Sequence, residues 1–163
     1  MEMTNERQGV MIHDALSLSL PPSFARMSLE ELGQLFRDDD SNRWGAWDKV
    51  CHTMFIVSWK KYGALLFHLA DLKGIAKRNE SLNQKGYGGH GYKLLGFFSM
   101  NAGQIPLEGY RFSYRLGDIT QVAPTVLLKH KNTVYSITCL GREENSKVDE
   151  NLFTEVVTGL QVY

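Results

Sequence analysis

The stretch YRFSYRLGDITQVAPTVLLKHKNTVYSITCLG, residues 110–141, decides the fold. Tyr110, Phe112, Tyr114 and Leu116 alternate with Arg111, Ser113 and Arg115, and a period of two sorts side chains onto the two faces of a strand. Gly117-Asp118 interrupts the pattern, TQVAPTVLLKH resumes it, Lys131-Asn132 interrupts it again, and TVYSITCLG follows. Turn signals this close together leave no room for a crossover helix, so the strands must pair antiparallel. YKLLGFFSM, residues 92–100, adds a strand ahead of these, joined to them by NAGQIPLEG. Pro124 has no N–H and predicts a bulge, or an edge position, in its strand.

Downstream, SKVDENLFTEVVTGLQVY carries Val148, Leu152, Phe153, Val156, Val157 and Leu160 as one helical stripe. Ser146 and Asp149 read as a cap pair there, and Gly159 as the stop. Upstream, Leu65, Leu69, Leu72, Ala76 and Leu82 predict a helix over about 64–84, irregular near Gly74. CHTMFIVSWK, residues 51–60, reads as a strand with Cys51, Phe55, Val57 and Trp59 on one face and Met54 and Ile56 on the other. Apolar residues on both faces mean that both faces are covered. In MSLEELGQLF, Ser28 and Glu31 form a capping box, and Met27 and Leu32 occupy the staple positions. Leu29, Leu32, Leu35 and Phe36 share a face of that short helix. GVMIHDALSLSLP opens the chain as a hairpin turning at Asp14-Ala15, and RDDDSNRWGAWDK reads as a polar loop. The order β-β-α-β-α-β-β-β-β-α predicts an α+β fold: an α/β/α sandwich with one largely antiparallel sheet of about six or seven strands, in a single domain of 163 residues.

Basic and acidic residues number 18 each, 43% of residues are apolar, and the net charge is zero. A dedicated nucleic-acid binder is normally basic overall, and a membrane-surface protein carries a basic amphipathic segment. Neither feature stands out, which predicts a protein or small-molecule partner and no nucleic acid. Neutrality also removes repulsion between copies, so a homodimer is compatible with it. The polar start lacks the basic and apolar regions of a signal peptide, and no apolar run reaches bilayer length. The expectation is a cytoplasmic protein. Cys51 and Cys139 read as buried, reduced thiols.

GYGGHGYK, residues 86–93, matches G-x-G-x-x-G at Gly86, Gly88 and Gly91. A dinucleotide fingerprint needs strand, glycines, helix, so that phosphate meets free amides at a helix start. Here the order is helix, glycines, strand, which predicts a connection using positive φ. Tyr87, His90 and Tyr92 in that stretch, and Trp44 and Trp47 in the polar loop, are the candidate binding residues. Counted from Asp38 as a calcium loop, the sixth position is Arg43 and the twelfth is Lys49, so an EF-hand is rejected. His13, His52, His68, His90 and His130 form no metal spacing, and no nucleophile elbow is present. Asn79-Glu80-Ser81 spells a glycosylation sequon on a helix. No cofactor, metal site or catalytic residue is assigned.

The element order resembles the PsbP-like fold family, which includes bacterial DcrB-like proteins. LPPSFARMS after the opening hairpin carries the likeness, with a strand ending at Trp59, then GYRFSYRL, VYSITCLGREEN and the closing NLFTEVVTGLQV. The likeness spans nearly the whole chain and implies a bacterial, non-catalytic binding or assembly protein. No family binding motif matches residue by residue, and a lipoprotein leader is lacking, which departs from many DcrB-like proteins. Three roles follow. A non-enzymatic interaction module predicts a flat or grooved apolar patch. A small-ligand-binding or enzymatic domain predicts a concave pocket near the Gly86–Gly91 loop and the tryptophan loop, bringing Tyr87, His90 or Trp44 together with titratable groups. A chaperone for a hydrophobic segment of a secreted protein predicts an exposed apolar groove on a dimer.

Overall fold

The computed structural model describes residues 7–36 and 42–163. Its elements run β1 (Gln8–Ile12), β2 (Leu16–Leu20), β3 (Ala25–Arg26), α1 (Leu29–Leu35), β4 (Arg43–Asp48), β5 (Thr53–Lys61), α2 (Ala64–Leu69), α3 (Leu72–Tyr87), β6 (Lys93–Ala102), β7 (Ile105–Leu116), β8 (Ile119–His130), β9 (Thr133–Arg142), α4 (Ser146–Thr158) and β10 (Gln161–Val162). The fold is α+β. A seven-stranded sheet has the order β3-β4-β5-β9-β8-β7-β6, and a separate three-stranded sheet has the order β1-β2-β10. Every pairing in both sheets is antiparallel.

The alternation in β7 does what its period requires. Tyr110, Phe112 and Tyr114 are buried and pack with Ala76 of α3, while Leu107 turns to the other face. That other face holds the larger core. Leu16, Leu18 and Leu20 of β2 meet Phe55, Val57, Tyr135 and Ile137 there, together with Phe153, Val156 and Val157 of α4. Helices α1 and α3 lie on the opposite face. The capping box of α1 is complete: Glu31 N–H donates to Ser28 Oγ, and Ser28 N–H donates to Glu31 Oε1, both at 3.1 Å. The staple residues Met27 and Leu32 are both buried against Ile56.

Several expectations need correction. The opening hairpin does not join the main sheet. It pairs with β10, a two-residue strand too short to show any period. Trp44 and Trp47 lie in β4 and not in a loop; Gly45 and Ala46 between them hide the alternation. Cys51 and His52 lie in the β4–β5 turn, where His52 has φ 57° and Cys51 is exposed. Leu29 and Leu35 of the predicted α1 stripe are exposed. The long helix breaks at Ala70 and Asp71, both extended, and not at Gly74; Lys129 Nζ takes up the freed Ala70 carbonyl at 2.8 Å. Pro124 sits neither at an edge nor in a bulge. Strand β8 is interior, and its pairing with β9 skips Ala123 and Pro124 with no slip of register while pairing with β7 continues. Asp149 caps nothing: it is buried and accepts from Thr53 Oγ1 at 2.9 Å. The acidic run Asp38–Asp40, where the rejected calcium loop would begin, lies outside the described residues, and Arg43–Asp48 of that loop form β4.

Candidate functional site

Helix α3 lies over β7 and β8, and α1 lies over β4. Between them the middle of β5 and β9, around Ser58, Ser136 and Thr138, stays only half-buried on that face. The result is a cleft of about 490 Å³. Ile56 and Ser58 of β5 and Ser136, Thr138 and Leu140 of β9 form its floor. Arg78, Asn79, Leu82, Asn83 and Tyr87 of α3 line one wall, and Phe36 and Arg43 the other.

The floor is polar where a covered sheet would be apolar. Ser58 and Ser136 pair directly across the strands, with their hydroxyls 2.7 Å apart. The hydroxyls of Thr125 and Thr138 are 2.9 Å apart. In β9 the opposite face carries Tyr135, Ile137 and Cys139, all buried. One strand therefore presents a dry face to the core and a hydroxyl-bearing face to the cleft. Ile56, Leu127 and Leu140 supply apolar surface beside those hydroxyls.

Aromatic rings seat the α3 wall. Tyr110 Oη donates to Asn79 Oδ1 and accepts from Asn83 Nδ2, each at 2.5 Å. Tyr92 Oη donates to Glu80 Oε1 at 3.0 Å. Tyr87 stacks on Tyr114 with centroids 4.3 Å apart, and Tyr92 stacks on Phe112 at 5.3 Å. Burial raises the phenol pKa of Tyr110, Tyr114 and Tyr92 well above the usual range. Burial also raises that of Tyr87, against the lowering effect of the Arg43 charge. These phenols stay neutral and serve as hydrogen-bonding groups.

The structure brings together two of the five candidate residues. Tyr87 lines the cleft, and Tyr92 stacks on the Phe112 ring that Tyr87 also flanks, at 5.8 Å. His90 is exposed in the short 3₁₀ turn Gly88–His90. Trp44 is buried in the core on the far face of the sheet. Trp47 packs beside α1, with Lys49 Nζ 4.8 Å above its ring. The glycine stretch is a helix end. Gly86 continues α3, and Gly91 turns the chain with φ 67°. Helix carbonyls, not free amides, project at that end, which disfavours an anion there. Sequence reasoning missed Ser58, Ser136, Thr138, Asn79 and Asn83. The serines and the threonine had a signal, polar residues at alternate positions of otherwise apolar strands.

The histidines and cysteines lie elsewhere. His13 stacks on Trp59 at 4.7 Å and shares a 2.9 Å hydrogen bond with Tyr135 Oη, on the core side. The Asp48 carboxylate, ahead of burial, pushes the exposed Cys51 thiol up; burial pushes Cys139 up. Among the described residues no group of three or more His, Cys, Asp or Glu is placed to hold a metal ion. No helix among the described residues is long and apolar enough to cross a membrane.

No protein-family model matches the chain, and no curated protein matches it in sequence. Solved structures do match. Cyanobacterial PsbP (CyanoP) from Synechocystis sp. PCC 6803 superposes with a TM-score of 0.75 at 10% identity, covering 100% of this chain and 97% of that one. LpqN, involved in cell envelope biogenesis of Mycobacterium tuberculosis, gives 0.63 at 10% identity over 96% of this chain and 90% of its own. PA94 from Pseudomonas aeruginosa, a protein of unknown function and putative regulator, gives 0.53 at 11% identity, covering 92% of each chain. With a seven-stranded antiparallel sheet between α1 and α3 on one face and α4 with the small sheet on the other, this chain has the PsbP-like fold.

Proposed function

We propose that the protein is a non-enzymatic binding module that takes an amphipathic small molecule in the cleft between α3 and the sheet. The observation that carries this reading is the hydroxyl-bearing floor of Ser58, Ser136 and Thr138, partly open to solvent in the middle of a seven-stranded sheet. Polar groups at a sheet centre normally lie under a helix, and these do pair with one another, Ser58 with Ser136 and Thr138 with Thr125. Here they face a concavity in the size range of small-ligand sites, with apolar and aromatic side chains around them. Among the described residues the lining holds no histidine, cysteine or carboxylate to act beside Ser58, Ser136 or Lys60, which favours binding over acid–base or nucleophilic chemistry.

Of the roles considered from the sequence, the concave pocket near the glycine stretch favours the small-ligand reading. The test is a thermal-shift screen with amphipathic metabolites, repeated on Ser136→Phe. Ser136 is half-buried on the cleft floor beside Ser58, so the larger ring occupies the cleft and not the core on the other face. Compounds that stabilise the native chain should lose affinity for Ser136→Phe by about ten-fold or more, equivalent to ~1.4 kcal/mol. Compounds that stabilise both proteins equally would show that the ligand sits elsewhere.

A further inference from the structure

Helix α2 has the sequence ALLFHL, and none of its six residues is buried. Leu65, Leu66 and Leu69 are 73%, 64% and 73% exposed. A single exposed leucine needs no explanation, but three on one short helix form a contiguous apolar knob. The knob is firmly held from beneath. Tyr62 N–H donates to the Asn132 carbonyl at 2.7 Å. Lys129 Nζ donates to the Ala70 carbonyl and lies 4.6 Å from the centroid of the Phe67 ring. These contacts anchor α2 to the turn between β8 and β9 while its leucines stay in solvent.

Basic residues crowd the chain around α2, of which Lys60 and Arg78 line the cleft and Lys129 is held by the Ala70 carbonyl. Lys60 and Lys61 precede α2, and Lys73, Lys77 and Arg78 follow it. Lys129 and Lys131 come from the turn it rests on. Seven of the chain's 18 basic residues thus lie in residues 60–78 and 129–131, with Asp71 alone of its 18 acidic ones. The remainder of the chain is acidic in excess, so the zero total conceals a strong asymmetry. No lysine lies in α2 itself, which is why the linear sequence shows no basic amphipathic segment.

We propose that α2 is a docking knob for an anionic lipid bilayer. Its leucines enter the boundary between headgroups and acyl chains, and the surrounding lysines meet the lipid phosphates. Charge complementarity selects this occupant, since an anionic surface matches an apolar tip flanked in the chain by the exposed Lys61, Lys73, Lys77 and Lys131. Size argues the same way. A convex helix of six residues offers far less than the roughly 800 Å² per partner of a stable protein interface. A bilayer needs no complementary shape.

Co-flotation with vesicles tests the proposal, comparing phosphatidylcholine alone with phosphatidylcholine mixed with phosphatidylglycerol. The chain should prefer the anionic vesicles by about ten-fold or more, the effect of one or two lysines at a charged surface. Raising the salt should remove most of that preference. The double variant Leu66→Asp, Leu69→Asp should not float even at low salt. Both leucines are exposed, so it should keep the native circular dichroism. Lys73→Glu with Lys77→Glu, both exposed and outside the cleft, should lose the anionic preference. Equal flotation on both vesicle types, or flotation unchanged in the leucine variant, would overturn the proposal. So would an absence of flotation combined with self-association that the leucine variant abolishes; that result would give the knob to a second copy of the chain.

Discussion

Gly141 and Asp149 occupy one space between them. A Cβ on Gly141 would lie 2.0 Å from Asp149 Oδ2, so the absence of a side chain in β9 is what admits the carboxyl of α4. That carboxyl is 7% exposed; Thr53 satisfies Oδ1, and Oδ2 has no partner. Burial therefore raises its pKa above the ordinary 3.8, outweighing the hydrogen bond from Thr53. The folded chain keeps this proton at a pH where the unfolded chain has lost it. The stability it contributes is complete below 3.8 and is lost as pH rises through the folded value. Asp149→Asn keeps the shape and removes the charge. Urea midpoints should fall less for the variant than for the native chain between about pH 4 and about pH 7. At neutral pH the variant should be more stable by about 1 kcal/mol, at the low end for a buried unpaired group. A variant profile as steep as the native one would clear Asp149 of this role.

At the scale of the element, what the sequence made legible was local. The capping box at Ser28 and Glu31 lies within one helical turn, and the alternation in β7 within seven residues, so each can be read without knowing the partner. What escaped depends on partners far along the chain. The carbonyl at the end of α2 is taken up by Lys129, 59 residues away. The cleft floor joins Ser58 to Ser136, 78 residues apart, and neither serine is unusual alone. Trp44 was read as a loop residue because nothing nearby shows that it pairs with Val57. The α3 wall is likewise a long-range product, seated through Tyr110 on Asn79 and Asn83. Tyr110→Phe removes both hydrogen bonds without changing the ring. It should cost about 1–2 kcal/mol in a urea titration. Amide exchange should quicken in α3 and not in α4, and any compound bound in the cleft should bind more weakly. Equal changes in the two helices would mean that Tyr110 supports the core generally and does not position the wall.

Over the whole molecule, two sheets share one core, and the last residues of the chain tie them. Strand β2 puts Leu16, Leu18 and Leu20 against the main sheet while pairing with β1 on one side and β10 on the other. Tyr163 adds its N–H to the Ala15 carbonyl at 2.8 Å, and its own carbonyl lies 2.7 Å from His130 Nε2 in β8. A chain stopped after Leu160 keeps all of α4 and loses β10 with these bonds. The small sheet then becomes a two-stranded ribbon, which is marginal unless packing holds it. If the sheets open separately, amides of β1 and β2 should exchange about ten-fold faster or more, a change of ~1.4 kcal/mol. Those of β7, β8 and β9 should keep their protection. The physical reason is that the main sheet retains its ladder and α4, while the hairpin has lost an edge partner and its link to β8. An equal loss of protection in both sheets would instead show that the hairpin, for all its separate pairing, unfolds only with the whole molecule.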